Sequence, residues 1–242
     1  MRRCCDVDKV FARSMSALTT DFYRRVSASF SASRRSAWRG WDELCNVLDL
    51  GGDAQLRVLD VACGNLRFER FLRGRVPHME TWAYDNCEEL VGERPRHVHY
   101  ACADVAEALL VDSDPLQGTP LCDLAVSFGF MHHLPLEEQR LGLLRLLALH
   151  TRKGGKVAVA FWQFADDERL RAKARPAPSG GAHDYLLGWQ DEPDVWRFCH
   201  HATEEEVDRL VTASSGHLRE LCRFSADGRT GRLNRYVVLE VV

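Results

Sequence analysis

A few short segments carry residues whose types and spacing can do chemistry. Asp60-Val61-Ala62-Cys63-Gly64-Asn65 follows an apolar run. A glycine at 64 lets backbone approach a ligand closely, and the helix expected next offers free N–H groups. Asp85 arrives 25 residues after Asp60, with Asn86 behind it. A carboxylate there suits the two hydroxyls of a ribose. Asp104, with Val105 behind it, is placed to accept from an exocyclic amine such as that of adenine. His132 and His133 stand just past an apolar segment ending in Ser127-Phe128. They are the candidate bases, or else one packs inward and one caps a helix. Arg197 can pair bidentately with a carboxylate or phosphate, or form a surface salt bridge. Tyr23, Trp38 and Trp189 can stack on a base or pack a core.

These segments need elements to hold them, and hydrophobic patterning supplies the elements. Residues 1–50 read as helical: Phe22, Val26 and Phe30 recur four apart, and Trp41, Leu44 and Leu48 follow at helical spacing. Strands are expected at Arg57–Val61, Thr81–Tyr84, His97–Ala101, Leu121–Phe128 and Lys156–Phe161. Between them fall helices with Phe68, Phe71 and Leu72, then Glu88 to Val91, then Glu137 to His150, the last ended by Lys153-Gly154-Gly155. The alternation predicts an α/β fold, Rossmann-like and doubly wound, with a mainly parallel sheet, N-terminal helices and a C-terminal antiparallel hairpin around Asp227-Gly228. In such sheets ligands bind outside the carboxyl ends of the strands, where Asp60, Asp85 and Asp104 all fall. The segment from Asp166 to Gly181 is charged, then rich in Pro, Ser and Gly, and reads as a mobile loop. Thr203 is an N-cap candidate with Glu206 three residues on.

The chain has 242 residues, 45% hydrophobic and 28% charged. That suits one sizeable domain: a helical arm or lid over 1–50, a binding core over 55–165, a loop and substrate-side insertion over 166–217, and closing strands over 218–242. Apolar stretches such as Val157 to Trp162 are strand-sized, so no membrane span is expected. Arg2 and Arg3 are followed by no apolar run, so no signal peptide is expected either. Nine cysteines without CxxC pairs suggest reduced thiols in a cytoplasmic protein, with Cys4-Cys5 open to metal binding or oxidation. His97-x-His99 and His200-His201 lack further ligands at familiar spacing, so no structural metal is expected. The formal net charge is −3. Residues 1–41 carry nine basic and three acidic side chains, +6, which leaves −9 for the rest. That basic segment is either a solvated helix face or a contact for an anionic partner such as RNA.

The turn is not the GxGxxG of dehydrogenases, and no GxxxxGK[ST] phosphate loop occurs. Taken in order, Val58-Leu59-Asp60-Val61-Ala62-Cys63-Gly64-Asn65, Tyr84-Asp85, Ala103-Asp104, Cys122 to Ser127 and Lys153-Gly154-Gly155 resemble the motif set of class I S-adenosylmethionine-dependent methyltransferases. The resemblance implies an enzyme that binds S-adenosyl-L-methionine, releases S-adenosyl-L-homocysteine, and holds the cofactor through Asp60, Ala62, Gly64, Asn65, Asp85, Asn86, Asp104, Val105, Ser127 and Phe128. Ala62 and Leu66 stand where the family usually has glycine. Leu66 would crowd the methionine part of the cofactor or turn into helix packing.

A narrower resemblance covers the flanks. Asp21-Phe22-Tyr23, Phe30, Arg34 and Trp38, Asp184 to Trp189, Trp196-Arg197-Phe198-Cys199-His200, and Asn234 to Val238 are similar to tRNA wobble-uridine methyltransferases that esterify 5-carboxymethyluridine. It implies substrate contacts at Tyr23, Arg34, Trp38, Trp189, Arg197 and His200, and tRNA as partner through the basic N-terminal segment. A carboxylate acceptor needs no base, whereas an amine or hydroxyl calls on His132 or His133. Two other functions fit the same residues: a small-molecule methyltransferase lidded by 1–50 and 166–200, and a non-catalytic binding module in which Leu66 has displaced the cofactor.

Overall fold

The structure, a computed structural model, describes residues 2–242 except Ala54, Ser179, Gly180 and Asp191, with side chains from Asp6 onward. The Cys4-Cys5 pair therefore lies outside the described side chains.

Apolar runs buried on both faces build the centre of one seven-stranded sheet. Its strands are β1 (Gln55–Val61), β2 (His78–Asp85), β3 (Val98–Cys102), β4 (Cys122–Phe128), β5 (Thr151–Trp162), β9 (Leu218–Ala226) and β10 (Asn234–Val241), in the order β3-β2-β1-β4-β5-β10-β9. The first five are parallel, and β10 runs antiparallel to both β5 and β9. Successive side chains point to opposite faces. Val157, Val159 and Phe161 therefore face Leu143, Leu144, Leu147 and Leu210 on one side. Ala158 and Ala160 share the other side with Trp41, Leu44, Phe68 and Leu72. The covering helices are α2 (Arg39–Val47) and α3 (Arg67–Arg73) on that second face, and α5 (Val105–Leu110), α6 (Glu137–Leu149) and α8 (Glu204–Ser214) on the first. The short α4 (Glu88–Val91) follows β2.

Two expectations change. Lys153-Gly154-Gly155 does not end α6; β5 starts at Thr151, and the three residues lie within it. The register against β4 slips between Cys122 and Leu124, and Gly154 has φ +73°. A Cβ on Gly155 would sit 2.6 Å from Thr151 Cγ2, so the glycines serve a bulge rather than a helix stop.

The first part of the segment from Asp166, residues 166–176, is also more structured than its composition suggests. Asp167 caps α7 (Glu168–Arg171) by accepting from Arg169 N and Leu170 N. Beyond it, β6 (Arg175–Pro176), β7 (Asp184–Trp189) and β8 (Glu192–His200) form a separate antiparallel sheet. That sheet is the seat for α1 (Arg2–Ser33). Phe22 and Val26 pack on Trp189 and Val195, and Met15 packs on Phe198. No helix among the described residues is long and apolar enough to cross a membrane.

Candidate active site

The turn after β1 is built from left-handed backbone. Ala62, Gly64 and Leu66 have φ of +64°, +55° and +54°. Ala62 N and Cys63 N both donate to Tyr84 O, at 2.7 and 3.1 Å, which ties the turn to the end of β2. Gly64 N donates to Asp85 Oδ2 at 2.8 Å, and Cys87 N donates to Asp85 Oδ1 at 2.9 Å. A Cβ on Gly64 would meet nothing within 4 Å, so the backbone there faces open space. Leu66 turns away from that space. It is fully buried against Cys63, Ala83, Val91 and Val98, so it packs rather than crowding the cavity.

The open space is a cavity of about 540 Å³ at the carboxyl ends of the parallel strands, well within the range of small-molecule sites. Asp60, Ala62, Gly64, Asn65, Asp85, Asn86, Val105 and Phe128 line it, as do Tyr23, Arg34, Trp38, His132, His133 and Arg197. Ala103, Ala106 and Leu90 supply an apolar slot near Asp85.

Four expected residues do not line the cavity. The Asp104 carboxylate accepts from Glu107 N at 3.0 Å and so caps α5 instead of facing an amine. Ser127 is fully buried and donates to Val61 O, bracing β4 against β1. Trp189 is buried between Phe22 and Phe30 and donates through Nε1 to Ser29 Oγ, so its ring faces are covered. His200 donates from both ring nitrogens, to Asp184 Oδ1 at 2.7 Å and Glu206 Oε2 at 2.6 Å. Burial opposes its charge, but the two carboxylates outweigh burial and hold it above the ordinary histidine value. Arg140 joins Glu206 at 2.6 Å, which makes this a buried structural network between α6 and α8.

The cavity is electrostatically divided. At the turn, Asp60 and Glu69 are buried together. Beyond the Asp60 carboxyl and its own backbone N–H, the Glu69 oxygens meet no donor. Two carboxyls can bond to each other only if one holds a proton. Burial first, and then Glu69, raises Asp60 well above the usual range, while burial pushes Glu69 up to about 7. Glu69 escaped the sequence reading, although an acid beside Phe68 on the inward face of α3 was the available signal.

At the opposite wall, His133 Nδ1 donates to Phe198 O at 2.7 Å and Nε2 accepts from Tyr23 OH at 2.8 Å. That fixes one neutral tautomer. Burial, and then the Arg197 charge, depress His133 to about 3. Burial, His133 and Arg197 push His132 well below its ordinary value too. Burial raises Tyr23 to about 12 against the pull of Arg197. None of the three is a strong base at neutral pH.

His132, His133 and Cys199 place one donor atom each within 4.8 Å of one another, a grouping the sequence spacing did not show. The set suits a cation poorly. Both His133 nitrogens are engaged, and the Arg197 charge lies beside the Cys199 thiol, which burial raises to about 11.

The helix α1 closes the site and is not a free arm. Thr20 Oγ1 accepts from Asn86 Nδ2, Thr19 Oγ1 accepts from Phe198 N, and Arg13 pairs with Glu107 at 2.7 Å. At the far end, Asp227 accepts from Gly40 N, Asn234 Nδ2 and Tyr236 OH, joining α2 to the closing strands.

No family model and no curated protein matches this chain. Solved structures do. Burkholderia thailandensis 1,6-didemethyltoxoflavin-N1-methyltransferase, with bound 1,6-didemethyltoxoflavin and S-adenosylhomocysteine, is 14% identical with a TM-score of 0.64, covering 95% of this chain and 90% of that one. The DhpI–S-adenosylhomocysteine complex is 16% identical with a TM-score of 0.61, covering 94% and 97%. An S-adenosylmethionine-dependent methyltransferase from Methanosarcina mazei is 14% identical with a TM-score of 0.60, covering 81% and 97%. The chain has the fold of S-adenosylmethionine-dependent methyltransferases. The Rossmann-like architecture expected from the sequence is thereby found, with the hairpin β9–β10 at the sheet edge.

Proposed function

We propose that the chain is an S-adenosylmethionine-dependent methyltransferase acting on a small acceptor enclosed beneath α1. The observation that carries this is the single cavity running from the Gly64 turn and Asp85 to His132, His133 and Arg197, with Tyr23 of α1 across it. Two of the solved structures named above hold S-adenosylhomocysteine, and one of them also holds 1,6-didemethyltoxoflavin.

The residues fit the cofactor. Each Asp85 oxygen accepts one backbone N–H and keeps a lone pair for a ribose hydroxyl. Leu90, Val105 and Ala106 offer an apolar slot for a flat base, and Asp60 and the open Gly64 backbone suit an ammonium-bearing tail. Bound there, the cofactor would supply a methyl group on a sulfonium. The chain's own part is to orient and to exclude water: α1 shuts the cavity, and the neutral histidines and raised Tyr23 leave no strong base in it. Acceptors that attack without losing a proton first are therefore favoured.

Calorimetry with S-adenosylhomocysteine tests this reading, and no measurable binding would favour the non-catalytic module. The tRNA reading keeps exposed basic side chains at Lys9, Arg24, Arg35 and Arg39, although Arg34 lines the cavity and Arg13 is paired. Label transferred from S-adenosylmethionine to bulk tRNA would revive it; transfer only to small metabolites supports the enclosed acceptor.

A further inference from the structure

Arg197 is buried, with 7% of its surface exposed, and it lines the cavity. Its Nε and Nη1 have no hydrogen-bond partner, and it enters no salt bridge among the described residues. Its guanidinium is held by rings, 4.5 Å from Phe22 and 5.8 Å from Trp162. A buried, unpaired cation is costly, and natural proteins keep one where an occupant completes it.

The surroundings supply no counter-charge. Arg34, the other arginine nearby, stacks 5.4 Å from Phe30 and lines the same cavity. The adjacent His132 and His133 are neutral, and Tyr23 keeps its proton. The acids that line the cavity lie elsewhere and are engaged: Asp60 with Glu69, Asp85 with the turn, Asp227 with Asn234 and Tyr236. The part of the cavity around Arg197 is thus cationic.

From this we infer that the methyl acceptor is an anion whose carboxylate or phosphoryl oxygens pair with the Arg197 guanidinium, with Arg34 adding charge. The inference rests on the methyltransferase reading and deepens it by naming the acceptor class. A planar fork bonds two oxygens of either group at once, which sets the acceptor's orientation toward the turn.

The test titrates protein saturated with S-adenosylhomocysteine against benzoate, phenylphosphonate and the neutral benzamide, by calorimetry. Benzoate or phenylphosphonate binds and benzamide does not; which of the two anions binds tighter separates a carboxylate from a phosphoryl acceptor. Arg197→Met weakens the anions by at least about tenfold while leaving S-adenosylhomocysteine affinity unchanged. Arg197→Lys, which keeps charge but loses the fork, weakens them by about threefold or more and serves if the methionine variant does not fold. Equal binding of benzamide, no binding of either anion, or undiminished anion binding in the variants overturns the proposal. The same titrations without S-adenosylhomocysteine separate the two claims. Loss of cofactor binding alone sinks the methyltransferase reading, whereas loss of anion selectivity alone sinks the acceptor class.

Discussion

Replacing Glu69 with glutamine tests the buried carboxyl pair beneath the turn. Glu69 is wholly buried, and Asp60 is the carboxyl it meets. An ordinary glutamate titrates at 4.5, and burial moves this one to about 7. The folded value is raised, so protonation contributes stability that is fully present below 4.5 and is lost as pH rises through about 7. A gap of 7 − 4.5, about 2.5 units, corresponds to about 3 kcal/mol at 1.36 kcal/mol per unit. Glutamine keeps the shape, carries no charge, and donates an amide N–H to Asp60. Urea unfolding of both proteins at pH 5 and pH 8 reads the effect. The natural protein should lose about 2.5 kcal/mol more than the variant between those values, since pH 5 already lies above 4.5. His132 and His133, depressed by burial, titrate in the opposite sense in both proteins and cancel in the difference. Profiles that stay parallel within about 0.5 kcal/mol would refute the shared-proton pair.

Three further outcomes are expected. Glu206→Gln breaks the buried Arg140–Glu206–His200 network and should cost about 3–5 kcal/mol in denaturant unfolding; the His200 contribution, fully present below pH 6.5 and lost as pH rises through its raised folded value, should then vanish at lower pH. Unchanged stability would show that the network carries nothing. Leu66→Gly relieves a left-handed residue, worth about 1–2 kcal/mol, but removes a buried leucine worth about 2–5; the protein should be less stable with S-adenosylhomocysteine affinity unchanged, and a tenfold tightening would show that Leu66 obstructs the cofactor after all. Tyr23→Phe leaves His133 Nε2 buried without a donor, at about 1–3 kcal/mol, and should speed amide exchange in α1 around residue 23; unaltered exchange would mean that this bond does not hold the lid.

How legible was this protein? The strands and their order of appearance were readable because burial on both faces leaves apolar runs such as Val157 to Phe161, and because Asp60, Gly64 and Asp85 fall where such runs stop. Local chemistry also fixed Thr203 as the cap of α8, accepting from Glu206 N. The hairpin β7–β8 escaped because its pattern is broken by Gly188 and because Trp189 and Val195 pack on α1, far away in the chain.

Roles were less legible than elements. An aspartate after a strand can line a cavity or only cap the next helix: Asp85 lines the cavity while holding the Gly64 turn, and Asp104 caps α5. The difference is one of side-chain direction, which no spacing encodes. The sequence by itself determined the alternating elements, the glycine at 64 and the acids available to it, since these follow from period and residue type. Only the tertiary structure decided that α1 lines the cavity, that Asp60 meets Glu69, and that Arg197 Nε and Nη1 stand buried without a hydrogen-bond partner. Those facts depend on which distant groups share a space that water has left.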